Sequence, residues 1–113
     1  MKYMLMFCDR PHDDRDDSDD GLVAKYVALQ EEAERNGTFV TGAPLQGADS
    51  GARVRIAEGE TVVIDGPFAE ATDLLSGFFI IDVPSRDDAI AFAARVPAAE
   101  RGVVEVRPIW EHG

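Results

Sequence analysis

Along the chain, stretches that are apolar at every position alternate with stretches that are apolar on one face only. Residues 2–8 place Tyr3, Leu5 and Phe7 on one parity and Met4, Met6 and Cys8 on the other. That is the pattern of a strand covered on two sides. From residue 20 to 36 the spacing turns helical, with Leu22, Tyr26, Leu29 and Ala33 on one stripe and Lys25, Glu32 and Arg35 off it. Aspartates ahead of this helix suit its positive end, and Asn36-Gly37 supplies a C-terminal stop. Residues 38–43 and 52–57 read as short strands, separated by a loop with Gly47, Asp49, Ser50 and Gly51. Glu58-Gly59-Glu60 turns the chain into a further strand at 61–64. Asp65-Gly66-Pro67 then breaks that strand, because proline offers no donor and glycine permits positive φ.

The second half repeats the theme. Residues 77–83, GFFIIDV, are a second strand apolar on both faces. Ser85 and Asp88 have capping-box spacing, with aspartate in the usual glutamate place. The helix that follows carries Ala89, Ile90, Phe92, Ala93 and Val96 inward and is stopped by Pro97. Residues 103–107 alternate, Val104 and Val106 opposite Glu105 and Arg107. The order β-α-β, inserted hairpin, β-α-β predicts an α+β fold of ferredoxin-like plan, with two helices on one face of an antiparallel sheet. Two helices cover one face, yet two strands are apolar on both. Sheets packed face to face across a twofold axis resolve this, so a homodimer of the dimeric α+β barrel type is expected.

Composition narrows the class. The 113 residues suffice for one domain, 1–113. A hydrophobic fraction of 45% and a mean hydropathy of -0.15 are those of an ordinary globule. The lone Cys8 excludes an internal disulfide and a multi-cysteine zinc site. No apolar run nears the ~18 residues of a membrane span. The start, MKYMLMFCD, meets aspartate too early for a signal segment, so a cytoplasmic location is expected. A net charge of -11 disfavours nucleic acid and anionic membranes as partners, and there is no basic stripe.

The charge is concentrated. Residues 9–20 hold seven aspartates and two arginines, a run that repels itself and reads as a solvated acidic loop. Asp16, Ser18, Asp20 and Gly21 match the opening of a calcium loop, with Val23 in its apolar eighth place. The twelfth place, where a bidentate glutamate belongs, is Val27. No metal and no cofactor is expected.

Candidate chemistry gathers at the Asp65 turn. Asp65 ends a strand on a Gly-Pro turn that fixes its direction, Glu70 and Asp73 follow, and Phe68 offers an apolar wall. Asp65 or Glu70 would carry a proton in acid/base work, with Phe68, Asp73, Arg53 and Arg55 binding a ligand. The bland alternatives are a turn aspartate bonding its own backbone, a polar first turn of a short helix, and strand arginines in surface ion pairs. Arg107 is a third strand cation of this kind. His12 lies in the acidic run, His112 beside the C-terminus, and Cys8 reads as a small apolar strand residue. Three functions stay open: a homodimer holding a small molecule or serving a partner, a cofactor-free acid/base enzyme, and a structural oligomer.

The stretch DGPFAE at residues 65–70 resembles the signature of the DGPF branch of YCII-related proteins. It is flanked by MKYML at 1–5, PSRDDAIAFAARVPAA at 84–99 and VEVRPIWE at 104–111. The resemblance spans the chain except residues 9–20, and it implies a bacterial dimeric α+β barrel. Members often lie near, or are fused to, extracytoplasmic-function sigma factors. Related YCII proteins were proposed to be enzymes on the strength of a histidine and an aspartate facing a cleft between helices and sheet. The first helix here has no histidine, so that pair does not transfer, and Thr72 stands where the branch commonly has lysine.

Overall fold

The computed structural model describes residues 1–9, 19–66 and 75–111, with the backbone alone at 19 and 20. The elements run β1 (Lys2–Cys8), α1 (Asp19–Arg35), β2 (Phe39–Pro44), β3 (Ala52–Ala57), β4 (Glu60–Asp65), β5 (Leu75–Asp82), α2 (Arg86–Ala93), α3 (Ala98–Arg101) and β6 (Val103–Pro108). Strands β2-β5-β1-β6 form one antiparallel sheet in that order, and β3-β4 form a separate two-stranded ribbon. This is the ferredoxin-like α+β arrangement expected from the sequence, with the ribbon inserted between β2 and β5.

Alternation on β1 sets the core. Tyr3, Leu5 and Phe7 are buried and face the helices, joined by Phe79, Ile81 and Val83 from β5 and its end. Leu29 and Ala33 come down from α1, and Ala89, Ala93, Val96 and Ala98 from the α2–α3 region. Phe79 is the hub of the aromatic packing, edge-on to Phe7 at 5.0 Å and to Phe39 at 5.2 Å between centroids. Such geometry adds about 0.5–1.5 kcal/mol per pair beyond the area buried. The opposite parity, Met4, Met6, Cys8, Phe78 and Ile80, is only half-buried and faces away from the helices.

Local signals in the sequence appear as geometry. Gly37 adopts φ 72°, Thr38 N–H donates to Ala33 C=O and Gly37 N–H to Glu34 C=O, the double bond of a Schellman stop. Ser85 caps α2, its oxygen accepting from Asp88 N–H at 3.3 Å while its hydroxyl donates to the Asp88 carboxylate at 2.8 Å. Glu58 and Gly59 both take positive φ, the two-residue turn that matches strand twist in a hairpin.

Three details depart from expectation. Ile90 is exposed, because the buried stripe of α2 runs through Ala89 and Ala93, one turn apart, and leaves Ile90 beside it. Pro97 does more than stop a helix: it precedes the short α3, whose first residue Ala98 is fully buried. The acidic run is also divided. Its first residue, Asp9, is buried, and its last two open α1. The segment between, with His12, Asp16 and Ser18, lies outside the described residues.

Among the described glycines, Gly102 permits the closest backbone approach. A Cβ there would sit 2.2 Å from the Cys8 carbonyl oxygen and 3.1 Å from the Asp9 Cα. That contact lets the α3–β6 turn press on the end of β1. Gly102→Ala is expected to cost about 2 kcal/mol through forced backbone separation, read as a fall of several degrees in thermal midpoint; an unchanged midpoint would show that the turn has slack.

Candidate functional site

The residues singled out from the sequence separate into two groups. Glu70, Phe68 and Asp73 lie outside the described residues, as does His112. Asp65, Arg53 and Arg55 lie on the ribbon. Asp65 pairs with Ala52, whereas Arg53 pairs with Ile64 and Arg55 with Val62. Directly paired residues share a face and neighbours along a strand alternate. Asp65 is therefore on the ribbon face opposite to Arg53 and Arg55. The two arginines, with Val54 and Ile64, line a shallow concavity of about 380 Å³. Cys8 is half-buried, and burial together with the nearby Glu105 carboxylate holds its thiol above the ordinary range, which keeps it protonated at neutral pH.

A different constellation forms at the end of β1. Asp9 continues the inward parity of Tyr3, Leu5 and Phe7, and at 6% exposure it is the buried charged residue among those described. Its carboxylate meets the Arg101 guanidinium, Oδ2 to Nε 2.9 Å. Arg101 is carried there by α3, which Gly102 allows to close on β1. Tyr26, on the inner stripe of α1, stacks obliquely on Phe7 with centroids 5.5 Å apart. Burial, and then the Asp9 charge, raise the Tyr26 phenol above its ordinary pKa; a backbone hydrogen bond from Ala98 and the Arg101 charge pull the other way. The phenol is thus a firmly held proton beside a buried carboxylate. Strand, first helix and α3 each supply one member.

A cleft of about 470 Å³ runs between α1 and the α2–α3 region, and Asp9, Tyr26 and Arg101 are not among the residues that line it. Lys25, Leu29 and Glu32 of α1 line one wall; Val96, Pro97 and Glu100 line the other. An ion pair from Arg95 to Glu32 bridges the two walls. Among the described residues, no three His, Cys, Asp or Glu side chains converge as a metal site would require. No helix among them is long and apolar enough to cross a membrane.

This fold and site can be set beside known proteins. The model of the YCII-related domain matches residues 1–112. The chain belongs to the YCII-related family. An uncharacterized protein of Rhizobium meliloti is 36% identical to this YCII-related chain over 95 residues, covering 82% of the chain and 77% of the relative. Among solved structures, 5-chloro-2-hydroxyhydroquinone dehydrochlorinase (TftG) from Burkholderia phenoliruptrix, in complex with 2,5-dihydroxybenzoquinone, aligns over 100% of this chain and 96% of its own. The TM-score is 0.53 and the identity 21%, a likeness of fold.

Sequence reading missed the triad because Asp9 was absorbed into the acidic run. One signal was available: counted from Leu5 and Phe7, Asp9 falls on the buried parity of β1.

Two measurements probe the triad. Asp9→Asn leaves the Arg101 cation without its counter-charge; since Arg101 is partly exposed, the expected loss is about 2–3 kcal/mol, at or below that of a fully buried pair. A denaturant midpoint unchanged within error would remove the pair from the stability of the fold. Tyr26 gives a pH signature. Its folded pKa lies above the unfolded value of 10.0, so its stabilising contribution is complete below pH 10 and is lost as pH rises through the folded pKa. Tyr26→Phe should flatten that part of the alkaline limb of stability against pH; an identical limb in both proteins would count against the assignment.

Proposed function

We propose that this YCII-related protein is a homodimer that binds a small organic molecule beside Tyr26, Asp9 and Arg101. The buried Asp9 carboxylate carries the reading. Placing a carboxylate at the end of a core strand costs several kcal/mol even when it is paired, and apolar side chains would fill the same space more cheaply. A charged pair with a proton-holding phenol beside it is the kind of arrangement found at binding and catalytic sites. Tyr26, which is half-buried, would donate one hydrogen bond, and Arg101 would offer a cation already balanced by Asp9. These suit a small planar molecule bearing hydroxyl or carbonyl oxygens.

A second reading, cofactor-free acid/base catalysis, is favoured by the Tyr26 phenol being raised beside a carboxylate. It moves the proton carrier from Asp65 or Glu70 to Tyr26 and Asp9. A phenol on the first helix and an aspartate at the first strand parallel the histidine–aspartate pair proposed for related YCII proteins. TftG, which shares the fold, is an enzyme whose complex holds a dihydroxylated quinone. A role as accessory to a sigma factor draws on none of these residues.

The test uses 2,5-dihydroxybenzoquinone and a panel of hydroxylated benzoates in thermal-shift and calorimetric titrations. The expected result is stabilisation of the parent and about 5–10-fold weaker binding by Tyr26→Phe, the worth of one hydrogen bond, with Asp65→Asn binding like the parent. Undiminished binding by Tyr26→Phe and Arg101→Met, with loss in Asp65→Asn, would return the site to the ribbon.

A further inference from the structure

Helices α1 and α2 share one face of the sheet but make few close contacts with each other; α1 packs on β2 and α2 on β6. The gap between them is the cleft of about 470 Å³, a volume within the range of small-molecule sites. Its floor is the buried pair Leu29 and Val96, and the short side chains of Ala28 and Ala94 leave it open. The Arg95–Glu32 ion pair spans it.

Charge is unevenly placed along this cleft. Lys25 and Glu100, close in sequence to Tyr26 and Ala98, stand toward the α3 end and offset each other. Glu32 lies two turns farther along α1, about 10 Å away. Arg95 grips it from the opposite wall, and Arg35 follows one turn later on the same helix. Among the described residues Arg35 enters no ion pair. Two guanidinium groups therefore share one carboxylate. This end of the cleft carries an excess of one positive charge in a chain whose net charge is -11.

We propose that the cleft is a second binding site, separate from Asp9, Tyr26 and Arg101, and that it takes a small aliphatic monocarboxylate. The ligand's carboxylate lies between Arg35 and Arg95, and its apolar body lies over Leu29 and Val96. One negative charge matches the excess. A dianion would overshoot it and would meet stronger repulsion from the acidic surface. Arg95 already holds one carboxylate here, and the guanidinium fork suits that planar group. Glu32 is then the ligand's competitor: it occupies Arg95 in the empty cleft and must share it when the ligand arrives.

The test is a titration of the isotope-labelled protein with hexanoate, read from backbone amide shifts. Hexanol supplies the same body without charge, and adipate supplies two charges. Hexanoate is expected to give saturable shifts at Leu29, Glu32, Arg95 and Val96, with hexanol and adipate binding more weakly. Arg35→Gln should weaken hexanoate about 5-fold and Glu32→Gln should tighten it about 5-fold, each the worth of one partly exposed charge pair. Arg86→Gln, which removes an exposed cation outside the cleft, should bind like the parent. If Arg35 serves only the C-terminal end of α1, Arg35→Gln lowers the thermal midpoint and leaves binding unchanged, which overturns the proposal. So does the absence of saturable shifts in the parent, or a Glu32→Gln protein that is folded and binds no more tightly. Should Glu32→Gln unfold, the contrast between Arg35→Gln and Arg86→Gln decides. Binding of 2,5-dihydroxybenzoquinone should be untouched by Arg35→Gln. Loss of either ligand's binding in the parent therefore removes its own site and leaves the other standing.

Discussion

Strand β1 is the constraint on which the rest of the molecule depends. It lies between β5 and β6, hydrogen-bonded on both edges, so its register is fixed from two sides. A slip of one residue would send Tyr3, Leu5 and Phe7 to the open face and bring Met4, Met6 and Cys8 under the helices. That exchange would empty the core of the residues packed on Leu29, Phe79 and Ala93. With the register held, everything on the inward parity lies beneath the helices, including Asp9 where the strand ends. An aspartate there must be paired, and the pairing shapes its surroundings. Arg101 arrives on a four-residue helix begun by Pro97, and Gly102 allows that turn to touch the backbone of Cys8 and Asp9.

The same constraint explains how two unlike chemistries coexist within one turn of α1. Tyr26 and Leu29 are neighbours on the inner stripe, but Leu29 is buried among aliphatic side chains while Tyr26 sits where the core gives way to the Asp9–Arg101 pair. Its ring completes the aromatic packing against Phe7, and its hydroxyl reaches the polar end. Tyrosine suits that border because one end of the side chain is apolar and the other requires a partner. Phenylalanine would keep the packing and lose the proton.

Much of the fold could be read from letters because each element carries its own periodicity and stop. The Gly37 stop, the Ser85 cap and the Glu58-Gly59 turn each depend on residues adjacent in sequence, and each appears as geometry. The α3 turn could not be read this way. Four residues are too few to show a period, and what orders them is a long-range contact with β1. The triad failed to appear for the same reason. Its members lie at positions 9, 26 and 101, joined by topology, and composition argued actively against Asp9 by placing it in a run of aspartates. Strand parity was the stronger physical statement: the acidic run begins on the inward position that follows Phe7. Arg53, Arg55 and Asp65 look like a cluster in sequence, but strand alternation assigns them to opposite faces.

Alternation also separates the two proposed surfaces. Odd positions of β1 lead to the helices and Asp9, whereas even positions form the open face with Phe78 and Ile80. A ligand beside Tyr26 and a second chain on Met4 and Met6 would therefore occupy opposite sides of one sheet, with no shared side chain to contest. The cost of leaving an apolar face on each protomer is aggregation, and the net charge of -11 opposes it by mutual repulsion. That repulsion also opposes a dimer, so a dimer must gain from contacts that ignore charge. Met4, Met6, Phe78 and Ile80, apolar and only half-buried, would provide such contacts. An acidic surface that keeps copies apart and an apolar face that would hold a correctly placed pair are mutually consistent, because charge selects against random encounter while burial rewards the one arrangement that excludes water.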